Sequence, residues 1–252
     1  MNFILLIYIG IVGLVLGSFY NVVGLRVPQK LSIIKPRSHC PNCQHELTAT
    51  ELIPVFSFIL QKGKCKSCGM KISWIYPVFE IMTSCLFVLS AILIGWTPEL
   101  IVALLLMSLL MIIFISDIHY MIIPDKVLLF FAPLFLIARI IIPLDPWYSP
   151  FVGSVLGFGL LLLIAVISRG GMGGGDIKLF AVLGLALGWQ NILLTLMFAS
   201  LYGSIVGVCL LLSGKVKRGE PVPFGPFIVM GAITAYFFGQ PIIKWYADYI
   251  NV

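Results

Sequence analysis

A chain of 252 residues that is 60% hydrophobic and only 10% charged falls outside the soluble globular class, in which about a quarter of residues carry charge. Its mean hydropathy of +1.10 and its several apolar runs near the ~20 residues that cross a bilayer make it an all-α, polytopic membrane helical bundle. The net charge of +6 calls for no nucleic acid, because a basic face apposed to anionic lipid accounts for it.

Hydropathy and charge place eight spans near 3–23, 74–95, 99–116, 127–143, 150–168, 177–189, 191–213 and 223–247. The sixth is short for a full crossing and is expected to tilt or to be shielded by its neighbours. The first run has no basic residue ahead of it, and Arg26, Lys30, Lys35 and Arg37 follow it. A cleaved signal peptide has the reverse order, so a retained span is expected. With the N-terminus outside, all sixteen basic residues except Arg139 and Lys244 fall toward the inner side, Arg169 and Arg218 among them. That asymmetry is the positive-inside pattern. The outer connections are short and carry Trp96, Trp147 and Trp189, which suit the interface. Function is therefore expected in the membrane or at its cytoplasmic face.

Between the first and second spans lies one small polar region, near 24–73. It holds Cys40-Pro41-Asn42-Cys43 and Cys65-Lys66-Ser67-Cys68, two CxxC pairs separated by 21 residues. Four thiolates from two tight knuckles suit a closed, structural tetrahedral zinc site. Two disulfides or a redox CxxC are the competing reading, which a reducing cytoplasm disfavours. His39 and His45 flank the first knuckle as substitute ligands. Cys85 and Cys209 stand alone in apolar runs and read as packed thiols.

The third span ends at Asp117, in Asp117-Ile-His119-Tyr-Met-Ile-Ile-Pro124-Asp125-Lys126. The sixth begins at Ile177, within Gly170-Gly171-Met172-Gly173-Gly174-Gly175-Asp176-Ile177-Lys178. An acid at the mouth of an apolar helix is costly and points to function, although Asp176 before Ile177 also reads as a helix N-cap. Asp117 and Asp176 share one depth and one side, so helices can bring them together. Two such carboxyls can perform aspartyl proteolysis, one taking a proton from water while its protonated partner polarises the peptide carbonyl. The glycines Gly173, Gly174 and Gly175 would then clear room for an extended substrate backbone, where a flexible turn is the plainer alternative. Lys178 reads as an interfacial anchor more readily than a catalytic group. Asp125 reads as the cap of the fourth span and as a weaker third candidate for the dyad.

These stretches resemble the bacterial type IV prepilin peptidases, or leader peptidase/N-methyltransferases, a GxGD-type intramembrane aspartyl protease family. Gly173-Gly174-Gly175-Asp176 looks like its GxGD motif, and Asp117 with Ile123-Pro124-Asp125 like its first aspartate segment. The paired CxxC motifs with Gly63 resemble its zinc region, and Gly17-Ser18-Phe19-Tyr20-Asn21-Val22 its N-terminal signature. Pro77-Val78-Phe79-Glu80 and Pro223-Phe224-Gly225-Pro226 resemble the starts of its second and last spans. The resemblance implies cleavage of prepilins or pseudopilins of pilus, secretion or competence systems after their short basic leader. It also implies N-methylation of the new terminus with S-adenosylmethionine. By motif, Asp117 and Asp176 are the peptidase pair, and Asn21, Gly63 and Glu80 are candidates for methyl transfer. It divides the chain into a first span at 1–23, a zinc domain at 24–73 and a transmembrane peptidase core at 74–252. No dinucleotide-type fingerprint supports the methyl donor, since the glycine run follows a span rather than a strand. Peptidase action without methylation, and a transporter using Asp117, Asp176 and Glu80 as relays, are the other readings.

Overall fold

The computed structural model describes residues 3–168, 171–217, 220 and 222–249. Arg169, Gly170 and Arg218, which enter the charge and motif arguments above, lie outside the described residues. Among the described residues, eight α-helices follow one another: α1 (Phe3–Arg26), α2 (Phe56–Leu60), α3 (Ile75–Ile94), α4 (Glu99–Tyr120), α5 (Asp125–Ile141), α6 (Ser149–Ile167), α7 (Gly174–Leu212) and α8 (Gly225–Tyr249). Six of them are long and apolar enough to cross a membrane. The eight expected spans are recovered when α5, of 17 residues, and the two arms of α7 are counted with the rest. At 39 residues, α7 is about twice the length one crossing needs. It is broken at Gly188 (φ 78°, ψ 174°), next to the turn expected at Trp189.

The chain forms two compact units, Met1–Ile115 and Ser116–Val252, so the boundary falls within α4. In the first unit, α1 packs on α3 through small residues. A methyl group on Gly13 would lie 2.7 Å from the Ser84 backbone, and one on Gly17 would lie 2.8 Å from that of Glu80. This four-residue glycine spacing lets two helix backbones approach where lipid offers no hydrophobic drive. Ser84 adds a hydrogen bond to the Gly10 carbonyl at 2.8 Å. Cys85 and Cys209 are exposed on their helices rather than packed: Ser84, beside Cys85, is the residue that meets α1.

In the second unit α7 folds back on itself. A methyl on Gly157 of α6 would touch both Phe180 and Ile192. Those two residues would be about 18 Å apart on a straight helix, at 1.5 Å per residue. Gly153 faces Gly184 so closely that a methyl on Gly184 would sit 2.3 Å from the Gly153 backbone. The break exposes the carbonyls that end the first arm, and Arg139 takes one of them. Its Nε and Nη2 donate to the Ala186 carbonyl at 2.9 and 2.6 Å. Arg139, counted above among the outer basic residues, is thus a buried cap on the α7 break. The second arm then packs antiparallel to α8, with Gly239 against Asn191 and Gly231 against Thr195 and Ala199.

Gly184→Ala should cost about 1–3 kcal/mol through overpacking, because the atoms it meets are backbone. Gly159→Ala on α6 meets nothing within 4 Å and should be neutral or stabilise by up to about 1 kcal/mol. Thermal unfolding of the two variants in detergent checks the contrast.

Candidate active site and metal centre

Asp117 occupies the last turn of α4 and is buried. Its Oδ2 accepts the Gly225 N–H at 2.8 Å, the first residue of α8. The carboxylate thus rests on a helix N-terminus, where unsatisfied N–H groups and the helix dipole favour negative charge. Gly225 admits it: a methyl there would lie 2.6 Å from Oδ2. The sequence marks this glycine only by the Pro223-Phe224-Gly225-Pro226 stretch, and its partner is invisible there.

After α4, the turn at Met121 (φ 53°) reverses the chain, and the Ser116 hydroxyl donates to the Ile122 carbonyl. Ile123 is buried against Gly175, where a methyl would come within 2.9 Å of its Cβ. This contact sets the Asp117 segment beside the start of α7. Asp176 lies there, half-buried, within electrostatic reach of Asp117.

The helix begins earlier than the sequence suggests. Gly173 is the N-cap of α7, so Asp176 is its third residue and not the cap. The Asp176 carboxylate takes a backbone hydrogen bond from Gly173, the reach-back of a capping box. The glycines divide their roles accordingly. Gly173 leaves room for the Asp176 carboxylate, 3.0 Å from where its Cβ would be, and Gly175 for Ile123. Gly174 has nothing within 4 Å and is the open one.

Lys178 and Asp125 form an ion pair at 2.7 Å, with both side chains more than half exposed. Asp125 follows the N-cap Pro124 as the first residue of α5, so the cap itself is Pro124. Their exposure makes the pair weak as a source of stability, but it joins α5 to α7 beside Asp176.

In the first unit the two CxxC loops are built alike. His39 bridges Glu46 and Lys64 bridges Lys71. Gln44 N–H returns to the Cys40 carbonyl and Gly69 N–H to that of Cys65, each at 2.9 Å. Both turns need a positive φ, 58° at Gln44 and 72° at Gly69. The four sulfurs lie within 4.8 Å of one another, with Cys40–Cys68 and Cys43–Cys65 both at 3.8 Å. A disulfide needs about 2.05 Å, so the cysteines are free thiols arranged around one point and can hold a metal ion. Backbone N–H of Met70 and the Asn42 amide hold the Cys68 thiol at about 6. Cys43 receives a backbone hydrogen bond from His45, yet burial and the neighbouring sulfurs push it up to about 12. Four thiolates this close need a cation among them. The histidines are used elsewhere: His45 meets Glu51 at 3.2 Å and His39 meets the Arg37 carbonyl at 2.9 Å. Thr48, through its backbone N–H and hydroxyl, and then His45 hold the Glu51 carboxyl at about 2.

Beside these knuckles is a cavity of about 440 Å³ lined by residues of α1, α3 and the cysteine region. It brings together two of the three methyl-transfer candidates, Asn21 and Glu80. Glu80 accepts the Val55 N–H at 2.8 Å and bonds the Ser18 hydroxyl. Val55 holds a positive φ of 62°, rare for a β-branched residue. Gly63 is not on the wall; it packs under Phe58, which is.

The comparisons with known proteins decide what kind of chain this is. Residues 104–208 match the model of the type IV leader peptidase family, and residues 11–94 match the bacterial peptidase A24 N-terminal domain. A prepilin leader peptidase/N-methyltransferase of Bacillus subtilis (strain 168) is 49% identical over 94% of this chain and 95% of its own length. The chain belongs to the type IV leader peptidase family. Proteins of the same name from Aeromonas salmonicida (strain A449) and Pseudomonas aeruginosa are each 32% identical, over 94% and 95% of this chain and 92% of their own lengths. No solved structure matches it. Both family models fall on described sites: the leader peptidase model spans Asp117 and Asp176, and the N-terminal model spans the cysteines and the cavity.

Gly225→Ala should displace Asp117 and lower the cleavage rate of a leader-peptide substrate by about a hundredfold, the scale of an ångström's misplacement. Single-turnover kinetics of the purified variant, compared with wild type, measures it.

Proposed function

We propose that this chain removes the short basic leader of type IV prepilins or prepilin-like proteins and methylates the amino terminus it exposes. It is an enzyme, an aspartic endopeptidase and N-methyltransferase of the leader peptidase family. The peptidase reading is carried by one observation: Asp117 and Asp176 lie within electrostatic reach of each other in a single compact unit, each at a helix end. Two like charges sharing a site do not readily ionise together, so the pair holds one proton between them. The ionised carboxylate takes a proton from water as its oxygen adds to the scissile carbonyl, and the protonated partner donates to the carbonyl oxygen. The C–N bond then breaks with its electron pair on nitrogen, which takes up a proton as the new amino terminus. Gly174 is the open edge at which the extended substrate backbone enters, and the exposed Lys178–Asp125 pair lies beside it. A transporter would place its acids at mid-membrane, whereas Asp117 and Asp176 sit at helix ends.

The basic asymmetry supports an N-terminus outside, with the cysteine region and both aspartates at the cytoplasmic side of the inner membrane. Substrate helices reach the enzyme from the bilayer. The working division is a first span at 1–23, a zinc domain at 24–73 and a peptidase core at 74–252.

Cys40, Cys43, Cys65 and Cys68 would hold zinc. Sulfurs 2.3 Å from a tetrahedral zinc stand about 3.8 Å apart, and the two pairs above stand at that distance. With four thiolates and no open position, the ion when bound cross-links two loops and performs no step of the reaction. S-adenosylmethionine, when bound, supplies an electrophilic methyl group. Methyl transfer would need the new amino terminus held as the free amine, and nitrogen would give up one proton. Asn21, Gly63 and Glu80 support this step.

Asp117→Asn and Asp176→Asn should each lower prepilin cleavage by about a hundred- to ten-thousandfold; full activity in either membrane preparation would sink the peptidase reading. Metal analysis of the purified chain should find one zinc per chain, lost together with folding of the polar region in Cys40→Ser. Mass spectrometry of the mature product should show an added methyl only when S-adenosylmethionine is supplied.

A further inference from the structure

The polar region near 24–73 carries eight basic residues against two acids, yet it contains the apolar run Leu52-Ile53-Pro54-Val55-Phe56 and then Ser57-Phe58-Ile59-Leu60. α2 falls in that run and is inside out for a helix in water. Ser57 and the C-cap Gln61 turn inward with Phe58, onto the cavity described above. The outward face is Phe56, Ile59 and Leu60, which are 63%, 64% and 81% exposed. A helix at a water boundary shows the opposite pattern, with its polar residues outward. Leu52 and Ile53 are exposed ahead of it and extend the face. Large apolar side chains clustered this way mark an interaction surface.

The height of α2 along α3 identifies what covers this face. α3 starts at Ile75, and Glu80, which accepts the Val55 N–H at 2.8 Å, lies five residues further on. That is about 7.5 Å along the helix at 1.5 Å per residue, and helical side chains lean back toward the helix start. α2 therefore begins beside the first two turns of a helix that can cross the membrane. Interfacial helices bury their apolar face to a similar depth, about 5–10 Å. Trp74, the N-cap of α3, meets Phe58 edge-on with ring centroids 4.6 Å apart, and tryptophan favours this boundary. A second segment reaches the same level. Arg26 ends α1 and donates to the carbonyls of Ser32 and Pro36 at 3.2 and 2.7 Å. The loop thus curls round the helix end with Ile33 and Ile34 exposed. Lys62 directly after α2, and Lys30 and Lys35 around the loop, are exposed as well and complement anionic headgroups. We propose that α2 and the Ile33–Ile34 loop are seated in the lipid leaflet at the start of α3, with acyl chains against Phe56, Ile59 and Leu60. The run is too short to cross a bilayer, so it lies in the interface. Because Val55, Ser57 and Phe58 line the cavity, the bilayer supports one wall of it from behind.

The test uses the full chain in nanodiscs of equal parts phosphatidylglycerol and phosphatidylcholine. Benzoylphenylalanine, a photo-cross-linking amino acid, replaces Phe56, Ile59 or Leu60 in separate samples that keep the wild-type circular dichroism. The same replacement of Ile81, exposed on the span of α3, is the lipid-facing reference. After irradiation, mass spectrometry should find phospholipid adducts at all three α2 positions in yields comparable to that at position 81. Adducts to a second copy of the chain alone, or no lipid adduct where position 81 gives one, overturns the proposal. Hydroxyl-radical footprinting of the unaltered chain in the same nanodiscs needs no substitution. With each rate taken relative to the same residue in the unfolded chain, oxidation of Phe56 and Leu60 should fall as far as that of Ile81. Oxidation of Phe56 and Leu60 at the unfolded rate places water on that face and overturns the proposal.

Discussion

Asp117 reaches the backbone of Gly225 because nothing stands between them. A carboxylate on the first N–H of α8 fixes the end of α4 against the start of the last helix, and a single methyl at 225 would occupy the same space. The rest of the second unit sets Asp176 within electrostatic reach of this carboxylate. The second arm of α7 holds α8 through Gly231 and Gly239, and α6 holds both arms of α7 through Gly153 and Gly157. Gly175 seats Ile123 and so joins the Asp117 segment to the first arm of α7. Side-chain size sets these separations: in a solvent as apolar as the helices themselves, close backbone approach is what drives packing.

The break at Gly188 is what makes the arrangement possible. A continuous helix of 39 residues would carry its second half away from the aspartates at about 1.5 Å per residue. The positive φ at Gly188 turns it back instead, and the buried guanidinium of Arg139 satisfies the carbonyl of Ala186 near the turn. Arg139 is expensive to bury, and its bonds to backbone carbonyls offset that cost.

Much of this was legible from residue order alone. Hydropathy located the rods, the turn at Trp189 came within one residue of the break, and charge and glycine content singled out Asp176. The paired CxxC motifs announced a four-sulfur cluster because the spacing itself carries the geometry. What stayed hidden depends on residues far apart in sequence. That Gly225 serves Asp117, that Lys178 is held by Asp125, that His45 belongs to Glu51 rather than to the sulfurs, and that Arg139 turns inward are all tertiary facts. The glycine run shows the same limit. Its composition suggested a cleared path, yet only Gly174 is open, while its neighbours make room for Ile123 and for Asp176's own carboxylate. Helix propensity also misplaced the cap, because glycine at N-cap is a weaker signal than aspartate.

The first unit solves a different problem. Two eight-residue loops, each closed by a single bridge and turning on one positive-φ residue, bring four sulfurs to one point, and a metal held there would stiffen a region too small for a large core. Everything in the peptidase account depends on Asp117 and Asp176 meeting. The direct measurement is cross-linking of Asp117→Cys/Asp176→Cys in native membranes, with Cys85 and Cys209 replaced by serine and a short bis-maleimide as reagent. Rapid intramolecular cross-linking, detected after proteolysis between the two positions, is the predicted result. Single modification of each cysteine without a cross-link would contradict the account.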